Sequence, residues 1–103
     1  MQVEQYEQAD IQLLIEELNA GSDGWSLEEG KLTKQFVFSD FASAFGFMSM
    51  AALYAEKINH HPEWFNVYNR VKVQLMTHDV SGISLKDEDM AKQMDAYAKA
   101  FIK

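Results

Sequence analysis

Residues 39–77 read SDFASAFGFMSMAALYAEKINHHPEWFNVYNRVKVQLMT, and the hydrophobic period changes once within them. Ser39 or Asp40 can start a helix that runs to about Asn59. Its apolar positions are Phe41, Ala44, Phe45, Phe47, Met48, Met50, Ala51, Ala52, Leu53, Ala55 and Ile58, which is more than one stripe. A helix apolar on nearly all sides is usually buried on two of them. A chain of 103 residues has too few other helices to cover both, so the second side is expected to meet another chain. Pro62 then biases His61 away from helical geometry, and the chain turns. Beyond it, Trp64–Tyr68 and Val71–Thr77 are rich in β-branched and aromatic residues. Val71, Val73 and Leu75 alternate with Lys72, Gln74 and Met76, the mark of a half-buried strand.

The flanks repeat this plan. Upstream, Asp10 can cap a helix in which Ile11, Leu14, Ile15 and Leu18 share one face, and Asn19-Ala-Gly21 ends it. Trp25-Ser-Leu27, Glu28-Glu-Gly30 and Lys31–Phe38 read as a hairpin, with Leu32, Phe36 and Phe38 on one side of its second strand. Downstream, Gly82 marks a loop and Ser84-Leu-Lys-Asp87 fits a helix-capping pattern. Met90, Met94, Tyr97 and Phe101 give the last helix its apolar face. The expected order is α-β-β-α-β-β-α. That is an α+β fold with a four-stranded antiparallel sheet and three helices on one face, in a single domain over residues 1–103.

Composition narrows the functions open to such a fold. Hydrophobic residues make up 48% of the chain, so it can fold. With no cysteine, disulfides, thiolate metal sites and cysteine nucleophiles are excluded. Nine basic against sixteen acidic residues give a net charge of −7, which argues against nucleic acid or an anionic membrane as a direct partner. The polar, acidic start is not a signal peptide, and the run around Phe45–Leu53 is too short to span a bilayer. A cytoplasmic protein is expected.

The three histidines, His60, His61 and His78, are the groups that titrate near neutral pH, and a cluster of them suits proton transfer. The plainer alternative for His60-His61 is a polar helix C-terminus, where imidazolium suits the helix dipole. Three histidines with Glu63 or Asp79 could in principle ligate zinc or iron. However, neighbouring helical residues diverge by about 100°, and no His-x-x-x-His or Glu-x-x-His spacing is present. Glu56, one turn before His60, can form a carboxylate–imidazole couple with it or a solvated pair. Trp64 and Tyr68 can stack on a flat heterocycle or serve the core.

The ordered set Glu56-x-x-x-His60-His61-Pro62, Tyr68, His78 and Asp87 resembles the signature of the pterin-4a-carbinolamine dehydratase family. The segments His60–Tyr68, Leu75–Asp79 and Ser81–Ser84 extend the likeness without a gap. The resemblance implies a lyase that dehydrates 4a-hydroxytetrahydropterin during recycling of tetrahydrobiopterin-type cofactors, without a metal or bound cofactor, as a homodimer or homotetramer. It places His60, His61 and His78 around the pterin, with Glu56, Pro62, Trp64 and Asp87 binding or supporting. Within that set, His60 and His78 are expected to handle protons and His61 to position the ring. Glu56 would tune His60, and Asp87 would cap the last helix or support the rim. Animal members also act as a dimerisation cofactor for a homeodomain transcription factor, so an oligomerising protein-binding module is the alternative function.

Overall fold

The computed structural model describes residues 3–102. The elements are α1 (Gln8–Gly21), β1 (Ser26–Glu28), β2 (Lys31–Val37), α2 (Phe41–Ile58), β3 (Glu63–Val67), β4 (Arg70–Leu75), a 3-10 turn (His78–Val80) and α3 (Leu85–Lys99). The expected order holds, and the strands form one antiparallel sheet in the order β1-β2-β4-β3. No helix among the described residues is long and apolar enough to cross a membrane.

Each end of the sheet is set by a short turn. Glu28 pairs with Lys31, and the two residues between, Glu29 (φ 53°) and Gly30 (φ 76°), are both left-handed. That conformation matches the twist of a two-residue hairpin, and glycine adopts it without strain. In the second hairpin Val67 pairs with Arg70 across Tyr68 and Asn69, so Tyr68 (φ 50°) lies in the turn rather than in the strand.

The inner face of β4 contributes Val71, Val73 and Leu75, all fully buried, as the alternation requires. Leu32, Phe36 and Phe38 are buried with them, and Phe47 of α2 packs against the rings of both Phe36 and Phe38, with centroids 4.7 and 5.1 Å away. The inward side of α2 is otherwise small, with Ala44, Ala51 and Ala55 buried. Its other side leaves Phe41 49%, Phe45 57% and Leu53 76% exposed, the uncovered apolar face expected from the sequence.

One sequence expectation changes, and one buried charge was not foreseen. Asp10 does not cap α1 from outside. The N-cap is Glu7, and Asp10 occupies the third helical position, where its carboxylate accepts the Glu7 backbone N–H at 3.0 Å. Glu7 thus takes the capping place in a reciprocal box, and the helix starts at Gln8, three residues before the start expected with Asp10 as cap. Lys34 shares the inner face of β2 with Leu32 and Phe36 and is buried. Its Nζ lies 2.8 Å from Asp95 Oδ1 and 3.0 Å from Ser22 Oγ, and 4.7 Å from the Phe36 ring centroid. Trp25 Nε1–H donates to the other Asp95 oxygen at 2.9 Å. The chain buries this lysine by giving it a carboxylate, a hydroxyl and two ring faces at once.

The segment before α1 is strapped to the loop before α3. Tyr6 N–H donates to the Ile83 carbonyl at 2.7 Å, Gln5 bridges Ser84, and a Cβ on Gly82 would fall 2.6 Å from Gln5 Nε2. Tyr6 Oη–H donates to Glu88 at 2.6 Å. Burial first, and then this bond to a carboxylate, push the Tyr6 phenol up to about 12, so it stays a donor at neutral pH.

Removing the Asp95 carboxylate strands the Lys34 charge, and Asp95→Ala is expected to cost about 3–5 kcal/mol in chemical denaturation. A loss below 1 kcal/mol would show that water reaches Lys34. The bonds from Lys92 and then Tyr6 hold the Glu88 carboxyl below its ordinary range. A carboxyl depressed by folding stabilises above its unfolded pKa, and that contribution disappears as pH falls through the folded value. Glu88→Gln should therefore unfold more easily than wild type at pH 7 and converge with it in acid. Parallel stability curves across pH 3–7 would contradict this.

Candidate active site

The helix ends where it does because Asn59 adopts a left-handed conformation (φ 54°, ψ 45°), which asparagine tolerates better than most residues. The His60 N–H then reaches back to the Ala55 carbonyl at 3.0 Å, closing the helix. This break separates two adjacent imidazoles. His60 turns inward and is buried, while His61 stays half exposed.

The second hairpin brings His78 to the same place. Glu63 stands opposite Gln74 in the β3–β4 register. Continued outward one residue at a time, that register sets His61 against Met76 and His60 against Thr77. β4 itself stops at Leu75, and His78 opens the 3-10 turn instead of ending a strand. A cleft of about 460 Å³ results, lined by Asn59, His60, His61, Pro62, Glu63, Met76, Thr77, His78, Asp79 and Lys86. Every histidine of the chain borders it.

The carboxylate partners differ from the expected pairing. His60 Nε2 lies 2.7 Å from Asp87 Oδ1, a buried contact, and Glu56 instead holds His61 Nε2 at 2.9 Å on the surface. The i, i+4 relation between Glu56 and His60 fails because Asn59 breaks the helix between them. Asp87 does cap α3 as expected, accepting the Ser84 N–H on Oδ2 at 3.0 Å, and Thr77 Oγ1–H donates to the same oxygen at 2.7 Å. It is fully buried below the cleft. Trp64 is not brought to the cleft. It lies on the inner face of β3 and packs on the core, while Pro62 lines the cleft.

His60 Nδ1 has no hydrogen-bond partner among the described residues, and no buried side-chain nitrogen or oxygen there is without one. That nitrogen is therefore not sealed from solvent, and His60 is among the residues that line the cleft. His78 is exposed, with no side-chain hydrogen bond among the described residues. No three His, Asp or Glu side chains among them converge as a metal-binding group.

Sequence reasoning missed Thr77 and Lys86. Lys86 stands at the second position of α3, where the helix dipole disfavours a cation, and that anomaly was the available signal. Thr77 carried none beyond its place before His78.

The fold is an α+β sheet whose hairpin end carries three imidazoles, one of them backed by a buried carboxylate. The family model for pterin 4 alpha carbinolamine dehydratase matches residues 4–97, and the chain belongs to that family. It is 50% identical over 91 residues to a Solibacter usitatus protein with the provisional name pterin-4-alpha-carbinolamine dehydratase, covering 88% of this chain and 92% of the relative. A Brucella ovis protein with the same provisional name is 55% identical over 78 residues, covering 74% and 80%. A Brucella melitensis crystal structure, described as a transcriptional coactivator/pterin dehydratase, superposes with a TM-score of 0.85 at 45% identity, covering 92% of this chain and 99% of that one.

The two carboxylate–histidine pairs should behave differently. Asp87→Ala strands three donors and a helix cap, and at least about 2 kcal/mol of stability should be lost. Glu56→Gln removes an exposed contact and should change stability by less than about 1 kcal/mol. Urea titration of both variants is the check, and equal losses would contradict the difference in burial.

Proposed function

We propose that this chain dehydrates 4a-hydroxytetrahydropterin to quinonoid dihydropterin and water, in recycling of a tetrahydrobiopterin-type cofactor. The observation that carries this reading is the meeting of all three histidines at one cleft. The reaction breaks the C4a–O bond and removes the N5 proton, so that C4a=N5 forms. The leaving hydroxyl takes one proton and departs as water, and N5 gives one up, so the site needs an acid and a base but no redox agent. Imidazole serves both roles near neutral pH.

His60 and His78 carry the protons in this reading. His60 is suited to its part because Asp87 holds one ring nitrogen and leaves the other without a protein partner among the described residues, in a residue that lines the cleft. His61, tied to Glu56, positions the pterin ring. The chain acts as a homodimer or homotetramer through the apolar side of α2 that carries Phe41, Phe45 and Leu53. The same face favours the second reading, an oligomerising protein-binding module with no physiological dehydratase role.

The test is a spectroscopic dehydratase assay on chemically prepared carbinolamine, with sedimentation of the same preparations. Wild type should turn over as dimers or tetramers. His60→Ala and His78→Ala should each lower kcat by ~10²–10⁴-fold, and His61→Ala should mainly raise KM. Loss of kcat at unchanged KM in His61→Ala would overturn the positioning role. An inactive wild type that retains a stoichiometric protein partner would replace the enzyme with the binding module, and a monomer would remove the role given to α2.

A further inference from the structure

We propose that Thr77 is the positioning residue that holds the Asp87 carboxylate against His60 Nε2, so that Asp87 keeps His60 in one tautomer, and that ties both proton-handling histidines to one frame; this rests on the acid–base reading of the cleft. The hydrogen-bond directions can be followed through a buried chain. Asp87, as a carboxylate, only accepts, so Thr77 must donate its single hydroxyl proton to Oδ2, at 2.7 Å. The 2.6 Å contact between Thr77 Oγ1 and Ser84 Oγ then has one direction left, with Ser84 donating. Ser84 Oγ in turn accepts the Lys86 N–H at 3.2 Å, and that backbone donor closes the chain at this end.

At the other end, the order of donors reaches His60. Oδ2 takes Thr77 Oγ–H and Ser84 N–H. Oδ1 faces His60 Nε2 at 2.7 Å, so a neutral His60 carries its proton on Nε2 and leaves Nδ1 bare. Thr77 also acts through its backbone. Its N–H donates to the Gly82 carbonyl at 2.7 Å, and its carbonyl accepts the Gly82 N–H at 3.3 Å. These two bonds close the loop that carries His78. The residue that orders Asp87 beneath His60 therefore also anchors the turn beside it. All three members, Thr77, Ser84 and Asp87, are buried, so water cannot replace a lost hydroxyl cheaply.

Thr77→Val keeps the shape and removes the donor, while Thr77→Ser keeps the donor. The expected result for Thr77→Val is a fall in kcat of ~10–100-fold, the size seen when the outer hydrogen-bond partner of a metal-ligating histidine is lost, with KM little changed. Two-bond ¹H–¹⁵N spectra of ¹⁵N-histidine protein should show neutral His60 as the Nε2–H tautomer in wild type and a mixture in Thr77→Val. Thr77→Ser should restore both. Ser84→Gly keeps a tolerated N-cap while deleting the hydroxyl that donates to Thr77. It should shift the tautomer in the same direction by less, and it carries the test if Thr77→Val does not fold. A single unchanged tautomer in the folded variant, or a Thr77→Ser variant as impaired as Thr77→Val, would overturn the proposal. The spectra need no turnover, so an inactive wild type would sink the dehydratase reading without deciding this one.

Discussion

The carboxylate of Asp87 is where three parts of the chain meet. It caps α3 through Ser84, receives the hydroxyl of Thr77 just beyond β4, and holds the ring of His60 just beyond α2. Each of those groups would be costly to bury alone, and the shared acceptor makes all of them affordable in a fully buried position. The consequence is geometric. The end of the central helix, the end of the central strand and the start of the last helix cannot move independently. A cleft formed among them keeps its shape without any long loop to close it. In the proposed reaction, groups preorganised in this way would need no rearrangement at the moment of proton transfer.

A second buried polar cluster, Lys34 with Asp95, Ser22 and Trp25, plays the corresponding part at α1 and the first hairpin. It adds no chemistry to the cleft, and Lys34 stands with Leu32 and Phe36 on the inner face of β2. Its value is specificity of packing. A lysine on the inner face of β2 can be satisfied only if α3 presents Asp95 at that point, so the strand and the helix are locked in one register.

The element order was legible because hydrophobic period is a local property, and the change of period between Ile58 and Trp64 marks where helix gives way to strand. The convergence of His60 and His78, eighteen positions apart, was not legible in composition or spacing, because the sequence pattern carries the strand through Tyr68. A turn at Tyr68 and Asn69 fixes the register of the hairpin, and that register places His60 opposite Thr77. The pairing of carboxylates was not legible. Helical spacing pointed from Glu56 to His60, and one left-handed residue, Asn59, redirected both histidines. Lys34 was hidden for a related reason, since alternation says which side a residue faces but not what waits there. Trp64 shows the same limit, because an aromatic in a strand suits a ring-stacking wall and a core equally well, and here the core takes it.

The distribution of side chains on α2 is the reverse of what would stabilise an isolated chain best. Burying a large apolar side chain contributes about 1.5–3 kcal/mol. Yet three of the four buried positions on this helix are alanines, while Phe41, Phe45 and Leu53 face outward. Small inward residues let α2 lie close against β4 and α3, which brings its C-terminal end over Asp87. Close approach therefore serves the site, and the outward rings represent burial that the single chain does not use. His61 and Glu56 leave the same helix at its exposed end.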